Sequence, residues 1–419
     1  MSDAYIIDGR RTPFVKSFTK FMGLRNHDLL VAAVKPLVEA YGLGGVELGD
    51  VALGAVIKNA NDFNLAREVV LDSGLAKTTP GFDLQRACGT GLEAITQIAN
   101  KITLGQITCG LAGGSDTNSD PPVQFSRNSV KKLLAFRSAK TVTDRLRAVL
   151  AMTPADFAPQ IMSVKESRTG KSMGDHCEIM AKEWGITRED QDRLALRSHQ
   201  LGAKAYDEGF YDWVVSLKDT KRDAILRGDT NLAALGKLAP AFEKSGTLTA
   251  GNSTPLTDGA GVTLLGSSEF ADSRGWKRLA KFKDAAVAAV DFVGGEGLLM
   301  APTIAVARLL ERHRLTFQDF GYFEIHEAFA AQVLCTLKAW QSEKYCRGRL
   351  GLQQALGPID DSKMNVKGGS LALGHPFAAT GSRQATTLAK LLAGKKGVLG
   401  LATACTAGGM GVAVILEGC

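Results

Sequence analysis

Asp83-Leu-Gln-Arg-Ala-Cys-Gly-Thr-Gly-Leu-Glu-Ala-Ile95 is the stretch on which the reading of this chain turns. Its first part is short and apolar enough for a buried strand, and from Gly91 onward Leu92, Ala94, Ile95, Ile98 and Ile102 recur as one face of a helix. Cys88 then falls at a strand-to-helix turn, where Gly89 and Gly91 are expected to let the backbone bend. The free N–H groups and positive dipole end of the helix favour a thiolate, so the expectation is a nucleophilic cysteine with a lowered pKa. The same residues also suit a small buried cysteine that closes a tight turn.

Composition narrows the setting. A chain of 419 residues is long for one core, and 45% hydrophobic content, 22% charged residues and 46 glycines fit a tightly turned α/β protein of two or three units. The N-terminal MSDAYIIDGRRTPF has no apolar signal core, and no run approaches the ~18 apolar residues of a membrane span, so a cytoplasmic enzyme is expected. Cysteines at 88, 109, 177, 335, 346, 405 and 419 are odd in number and lack paired ligand spacing. Reduced thiols follow, with neither a disulfide framework nor a zinc site. The net charge of +7 suits solubility or a polyanionic small substrate.

Outward from Cys88, residues 4–8 and 51–57 read as strands and 28–42 as an amphipathic helix, and the segment ending Cys109-Gly-Leu-Ala-Gly-Gly-Ser-Asp116 reads as a buried strand. Strand, helix, strand in this order implies parallel pairing. Residues 90–112 superpose on 380–402 without a gap. Thr90-Gly91 falls on Thr380-Gly381, Thr96 on Thr386, Ala99 on Ala389, and Gly110-Leu111-Ala112 on Gly400-Leu401-Ala402. A duplicated α/β unit explains the match, and chance likeness of two Gly/Ala-rich segments is the alternative. Under this offset Cys88 meets Ala378 and Ser115 meets Cys405.

Between the halves, 127–147 carries Arg127, Lys131, Lys132, Arg137, Lys140, Arg145 and Arg147 against Asp144 alone. A solvated helix face, a clamp for nucleotide phosphates and a surface for a membrane or partner all fit. Residues 173–212 read as helical, with Thr187 as a cap and Glu189 and Asp190 in the first turn. The chain returns through the hydroxyl-rich AGNSTPLTDGAG loop (250–261) into a strand at Gly261–Leu265. Three stretches complete the candidate constellation: His326-Glu-Ala-Phe329 after the apolar run 322–325, His375 between Gly374 and Pro376, and Cys405 ahead of Gly408-Gly-Met-Gly411. Each has a structural explanation alone, but the chain has only six histidines, and two of them share such turns with two cysteines.

In these motifs, in order along the whole chain, the sequence resembles the thiolase family. It is most similar to the HEAF type, whose other branch has asparagine at the position of His326, and the basic 127–147 segment with the FNLARE (63–68), GLLMAP (297–302) and HPFAATG (375–381) stretches resembles bacterial fatty-acid-oxidation thiolase subunits and certain actinobacterial acetyl-CoA acetyltransferases. The resemblance implies an α/β thiolase fold: a duplicated five-layer αβαβα core with an inserted, mainly helical loop domain. The expected boundaries are 1–119 for the first half, completed by about 250–270, then 120–249 for the loop domain over the CoA site and 271–419 for the second half.

It further implies Cys88 as nucleophile, His375 as its base and Cys405 as the acid/base of carbon–carbon cleavage or Claisen condensation. His375 and His326 would hold an enolate oxygen, and the backbone N–H groups of Cys88 and Ala407 the tetrahedral oxyanion. Met173, Phe242, Thr254, Ala328 and Phe329 would line the pantetheine and acyl tunnel, with Lys221 and Arg222 as candidates for the CoA phosphates. Ala407 stands where glycine is frequent and Thr254 where serine is. Coenzyme A and acyl-CoA enter as substrates, with no permanently bound cofactor and no metal. A homodimer or homotetramer is expected, as is association with a β-oxidation hydratase/dehydrogenase subunit, and no nucleic acid. A ketoacyl synthase-type condensing enzyme or a catalytically silent thiolase-like lipid-binding protein are the competing readings; the first carries His or Asn in place of Cys405, and the second has no need of reactive thiols.

Overall fold

The computed structural model describes residues 2–161 and 165–419; Met1 and residues 162–164, which fall in the expected first half and insertion, lie outside the described residues. Among the described residues ten strands build two half-sheets: nine lie on one path, and the two-residue strand Val15–Lys16 pairs beside it with Thr257 and Asp258. The first contains β1 (Ala4–Arg11), β2 (Asp50–Leu53), β3 (Gly81–Asp83), β4 (Cys109–Asp116) and β5 (Thr257–Ser267), in the order β3-β2-β4-β5-β1. The second contains β6 (Ala280–Ala289), β7 (Phe320–Ile325), β8 (Leu399–Thr406) and β9 (Met410–Gly418), in the order β7-β8-β9-β6.

The pairing senses repeat. β2 is parallel to β4, β4 antiparallel to β5 and β5 antiparallel to β1; likewise β7 is parallel to β8, β8 antiparallel to β9 and β9 antiparallel to β6. A short antiparallel contact between β1 and β6, Tyr5 with Lys281 and Ile6 with Ala280, joins the two.

Alternation along each strand assigns side chains to layers. Leu111, Val262 and Leu264 face an outer layer made by α1 (Asn26–Ala40) and α2 (Leu65–Asp72). Their neighbours Ala112 and Leu265 face the middle, where α3 (Thr90–Thr103) presents Leu92, Ile95, Ile98 and Ile102. From the other half-sheet Ala402, Val414 and Leu416 face the same middle layer, while Leu401 and Ile415 face a third helical layer. That layer holds α8 (Ala301–His313) and α9 (Ala330–Gln341). Both faces of each half-sheet are covered, so β5 is buried at every position, as expected for strands inside a layered α/β protein.

The duplication is exact in its central elements. α10 (Thr380–Leu392) stands 290 residues after α3 at its first residue, and β8 stands 290 after β4 at both ends. The twin helices meet in the middle layer at their twin glycines. A Cβ on Gly91 would lie 2.7 Å from the Ser382 nitrogen, and one on Gly381 would run into the Leu92 nitrogen and the Gly91 carbonyl carbon.

Between β4 and β5 the chain forms α4 (Arg127–Ser138), α5 (Val142–Leu150), α6 (Met173–Glu183) and α7 (Arg188–Asp207). Thr187 caps α7 by accepting the Asp190 N–H at 3.1 Å. The basic run lies on α4 and α5 as a solvated surface, and the same pair exposes Leu134, Phe136, Leu146 and Leu150. Among the described residues no helix is long and apolar enough to cross a membrane.

Two local expectations change. The strand before Cys88 ends at Asp83, so 84–89 is irregular, and the 51–57 strand stops at Leu53.

Replacing Gly381 with Ala puts a methyl against backbone that side-chain rotation cannot clear. The expected loss is about 1–3 kcal/mol of unfolding free energy, read from urea titration, with no larger effect than wild type if the helices can separate freely.

Candidate active site

Cys88 sits on an elbow held by Thr90. The Thr90 hydroxyl accepts the Arg86 N–H at 2.8 Å and donates to the Ala87 carbonyl at 2.7 Å, so the loop is pinned on both sides of the thiol. The unusual backbone angle belongs to Ala87, at φ +44°, and not to Gly89 or Gly91. Gly89 is required instead by packing: a Cβ there would lie 2.8 Å from Val412 and 3.0 Å from Thr406, both from the second half. The contact that forbids a side chain at 89 brings the Cys405 turn over Cys88.

His375 is placed by three threonine and carboxylate contacts. Its N–H donates to Thr257 Oγ1 at 2.8 Å, its Nδ1 lies 2.6 Å from Thr380 Oγ1, and the Ala378 N–H that follows donates to buried Asp116 at 2.8 Å. His326 follows β7, and Asn365 braces this strand end by accepting the Ile325 N–H and donating to Ile325 O and to Glu327 Oε1. Ser198 also donates to Glu327, at 2.7 Å. The two imidazoles stack with centroids 4.1 Å apart and planes at 44°. One ring nitrogen of each and the Cys88 sulfur all lie within 4.8 Å of one another.

Cys88, His375, Cys405 and Ala407 open on a cavity of about 240 Å³, whose wall also includes Met173, Phe242, Thr254, Ala328 and Phe329. Phe242 and Phe329 meet edge to face at 5.8 Å, making the wall largely apolar. The Thr254 hydroxyl donates to Ala328 O at 3.1 Å and is engaged within the protein. Ser172, Leu256, Leu299 and Phe377 also line the cavity; the last three lie within the 250–261, 297–302 and 375–381 stretches, although none of the four was expected in the wall. Lys221 and Arg222 lie away from it; Arg222 is paired with Asp207 at 2.8 Å and stacked over Tyr206.

Burial dominates the protonation of the site. The Cys88 thiol is pushed up to about 12 by loss of water, although the N–H groups of Ala407 and of Cys88 itself pull the other way. The direction is opposite to the lowered pKa expected from the helix start, because desolvation outweighs the two backbone N–H groups. Burial, then the neighbouring Cys88, raises Cys405 well above its ordinary value. Burial, helped by the charge of Arg383, lowers His375 to about 3. His326 is held well below its ordinary value by burial, then by His375 and Arg383. The resting site therefore contains two thiols and two neutral imidazoles, with the Cys88 sulfur already facing two backbone donors. Such a set can form a thioester, move one proton between sulfur and imidazole, and hold negative oxygen.

Sequence comparison agrees with this arrangement. Residues 4–269 match the thiolase N-terminal domain and residues 276–418 the thiolase C-terminal domain. A 3-ketoacyl-CoA thiolase from Serratia proteamaculans is 40% identical over 98% of this chain and 96% of its own, and one from Yersinia pestis is alike in all three measures. The crystal structure of the Bacillus anthracis acetyl-CoA acetyltransferase, 30% identical, superposes with a TM-score of 0.82 over 100% of this chain and 99% of that one. With both family domains matched end to end around paired thiols and stacked imidazoles, the chain belongs to the thiolase family.

Proposed function

We propose that the protein cleaves 3-ketoacyl-CoA with coenzyme A to acetyl-CoA and a shortened acyl-CoA, and that it runs the reverse Claisen condensation, by ping-pong acyl transfer through Cys88. The observation that carries this reading is that Cys88 and Cys405, thiols from opposite halves, open with the His375 ring on one apolar cavity. Cys88 sulfur attacks the 3-keto carbon while its proton passes to His375, and the new oxyanion accepts the N–H groups of Cys88 and Ala407. The C2–C3 bond breaks and its electron pair becomes the acetyl-CoA enolate, whose oxygen is held by His326 and His375. Cys405 gives its proton to C2, acetyl-CoA leaves, and the His375 proton returns to the Cys405 thiolate. Coenzyme A then attacks the acyl-Cys88 thioester, and the proton of its thiol, carried by His375, restores Cys88.

A neutral resting pair suits this scheme. With Cys88 pushed up to about 12 and His375 down to about 3, proton transfer accompanies attack and no thiolate is stored beforehand. The cavity wall of Met173, Phe242, Ala328 and Phe329 offers apolar surface to pantetheine and acyl carbons. The name 3-ketoacyl-CoA thiolase carried by the Serratia and Yersinia relatives fits a 3-ketoacyl-CoA substrate, and fatty-acid β-oxidation is the setting we propose for it. We propose a cytoplasmic homodimer or homotetramer able to associate with a hydratase/dehydrogenase subunit; the association is supported by the exposed Leu134, Phe136, Leu146 and Leu150, which call for cover.

Acetoacetyl-CoA should disappear on addition of CoA, followed by the absorbance of its magnesium enolate; no CoA-dependent loss would overturn the activity. Cys88→Ala should abolish the acyl adduct in intact-mass spectra, and a stable adduct elsewhere would remove the assignment. Cys405→Ser should still form the Cys88 adduct from acyl-CoA but lose at least ~10²-fold in cleavage, because a serine hydroxyl is a far weaker acid than a thiol. Light scattering should give a mass above the 44.5 kDa of one chain; a monomer at that mass would refute the oligomer.

Buried neutral histidines also set the acid response. Between about pH 6.5, the ordinary value in an unfolded chain, and about 3 for His375, the unfolded state binds a proton that the folded state refuses, so stability falls as pH falls. His199, lowered to about 4 by burial and Arg227, adds in the same direction. Urea midpoints at about pH 7 and about pH 5 should differ less for His375→Gln than for wild type, and equal differences would contradict the buried neutral imidazole.

A further inference from the structure

A buried polar chain ends on His326 and is used by none of the steps above. Arg383, on α10, donates from Nη1 to Glu324 at 2.8 Å and from Nη2 to Ser370 Oγ at 3.3 Å, and Ser370 Oγ lies 2.8 Å from His326 Nδ1. Arg383, Glu324, Ser370 and His326 are all 0% exposed. His326 Nε2 has no hydrogen-bond partner, and one ring nitrogen of His326 lies within 4.8 Å of the Cys88 sulfur and of a His375 ring nitrogen; with Nδ1 engaged by Ser370, Nε2 is the nitrogen left for the site.

We propose that Ser370 and Arg383 are positioning residues that fix His326 as the Nε2–H tautomer, so that its proton faces the substrate oxygen. The argument is a count of donors and acceptors. Guanidinium has only donors and keeps its proton, so Arg383 must occupy a lone pair of Ser370. The Ser370 hydroxyl has two partners among the described residues, Arg383 and His326. Its own proton then has one acceptor, His326 Nδ1. A neutral imidazole that accepts at Nδ1 carries its proton at Nε2. In the opposite tautomer Nδ1–H would donate to Ser370, whose hydroxyl proton would be stranded in a dry interior. The burial and nearby positive charge that keep His326 neutral remove the third choice, an imidazolium.

The tautomer matters because the two imidazoles have opposite duties at Nε2. Taking the Cys88 proton requires a bare nitrogen on His375, while holding an enolate oxygen requires an N–H on His326. Different hydroxyl partners, Thr380 for His375 and Ser370 for His326, allow stacked rings 4.1 Å apart to differ.

This inference rests on the enolate-holding role of His326, and the test separates the two. In Ser370→Ala, acylation of Cys88 by acetyl-CoA, which forms no enolate, should proceed at the wild-type rate, while kcat for acetoacetyl-CoA cleavage falls about tenfold at unchanged KM. His326→Ala should lose ~10²–10³-fold in the same kcat. Long-range 1H–15N spectra of protein labelled at its histidine nitrogens, with His326 assigned by its absence from His326→Ala, should give an unprotonated Nδ1 and a protonated Nε2. A protonated Nδ1, an unaffected kcat in Ser370→Ala, or equal loss of acylation and cleavage would overturn the relay. An unaffected kcat in His326→Ala would instead overturn the role on which it rests.

Discussion

The approach of α3 to α10 is the constraint that the rest of the molecule obeys. Helices packed through ordinary side chains keep their axes 8–10 Å apart. Here Gly91 and Gly381 remove the intervening atoms, so that the backbone of one helix start rests on the other. Each helix start is preceded by a chemically loaded loop, Cys88 before α3 and His375 before α10. Closing the distance between the helices closes the distance between the loops. The same contact leaves Ala378 O and Ser382 N against Gly91, so the active-site geometry and the domain interface share atoms.

Duplication then explains how one scaffold carries different groups in its two halves. Thr90 and Thr380 are twins at the first position of α3 and α10, but Thr90 grips the backbone around Cys88 while Thr380 meets the ring of His375. Ser115 and Cys405 are twins near the ends of β4 and β8. Ser115 stays inside the fold, donating to Gly259 O at 3.1 Å, while Cys405 opens on the cavity. Asp116 follows the same logic across the interface: from the end of β4 it receives N–H groups of Val56 and Ile57 in its own half and of Ala378 in the other.

The parts of this design that were legible in the sequence are those that repeat or punctuate. The helical spacing after Gly91, the 290-residue offset and the Gly-rich turns around Cys88, His375 and Cys405 each follow from local rules of chain geometry, and they locate the helices, the reactive groups and the parallel sense of the strands flanking α3, although β3 and β4 each pair with β2 between them and not with each other. What the sequence hid depends on distance in space. Ser370 and Arg383 look like ordinary helix residues until the fold brings them to His326. The role of Gly89 was misread because a clash with Val412, 323 positions later, has no local trace. The sign of the Cys88 shift failed for the same reason, since a helix start can be read from a dozen residues but burial needs the whole assembly.

That last reversal changes how the site must work. A thiolate stored at a helix start would be stabilised before substrate arrives, and the stabilisation would have to be given up on attack. A thiol in dry surroundings beside a neutral imidazole holds no charge until the carbonyl is in place. The backbone donors at Cys88 and Ala407, already fixed by the elbow and the β8 turn, then meet negative charge only as it forms. Interactions realised only at that stage lower the barrier without tightening the ground state. Dryness therefore serves the reaction twice: it keeps the resting groups neutral, and it strengthens each fixed donor at the moment charge appears. The apolar wall of Phe242, Phe329 and Met173 is part of the same electrostatic device as the two thiols, because water admitted there would screen the donors and relax the shifts together.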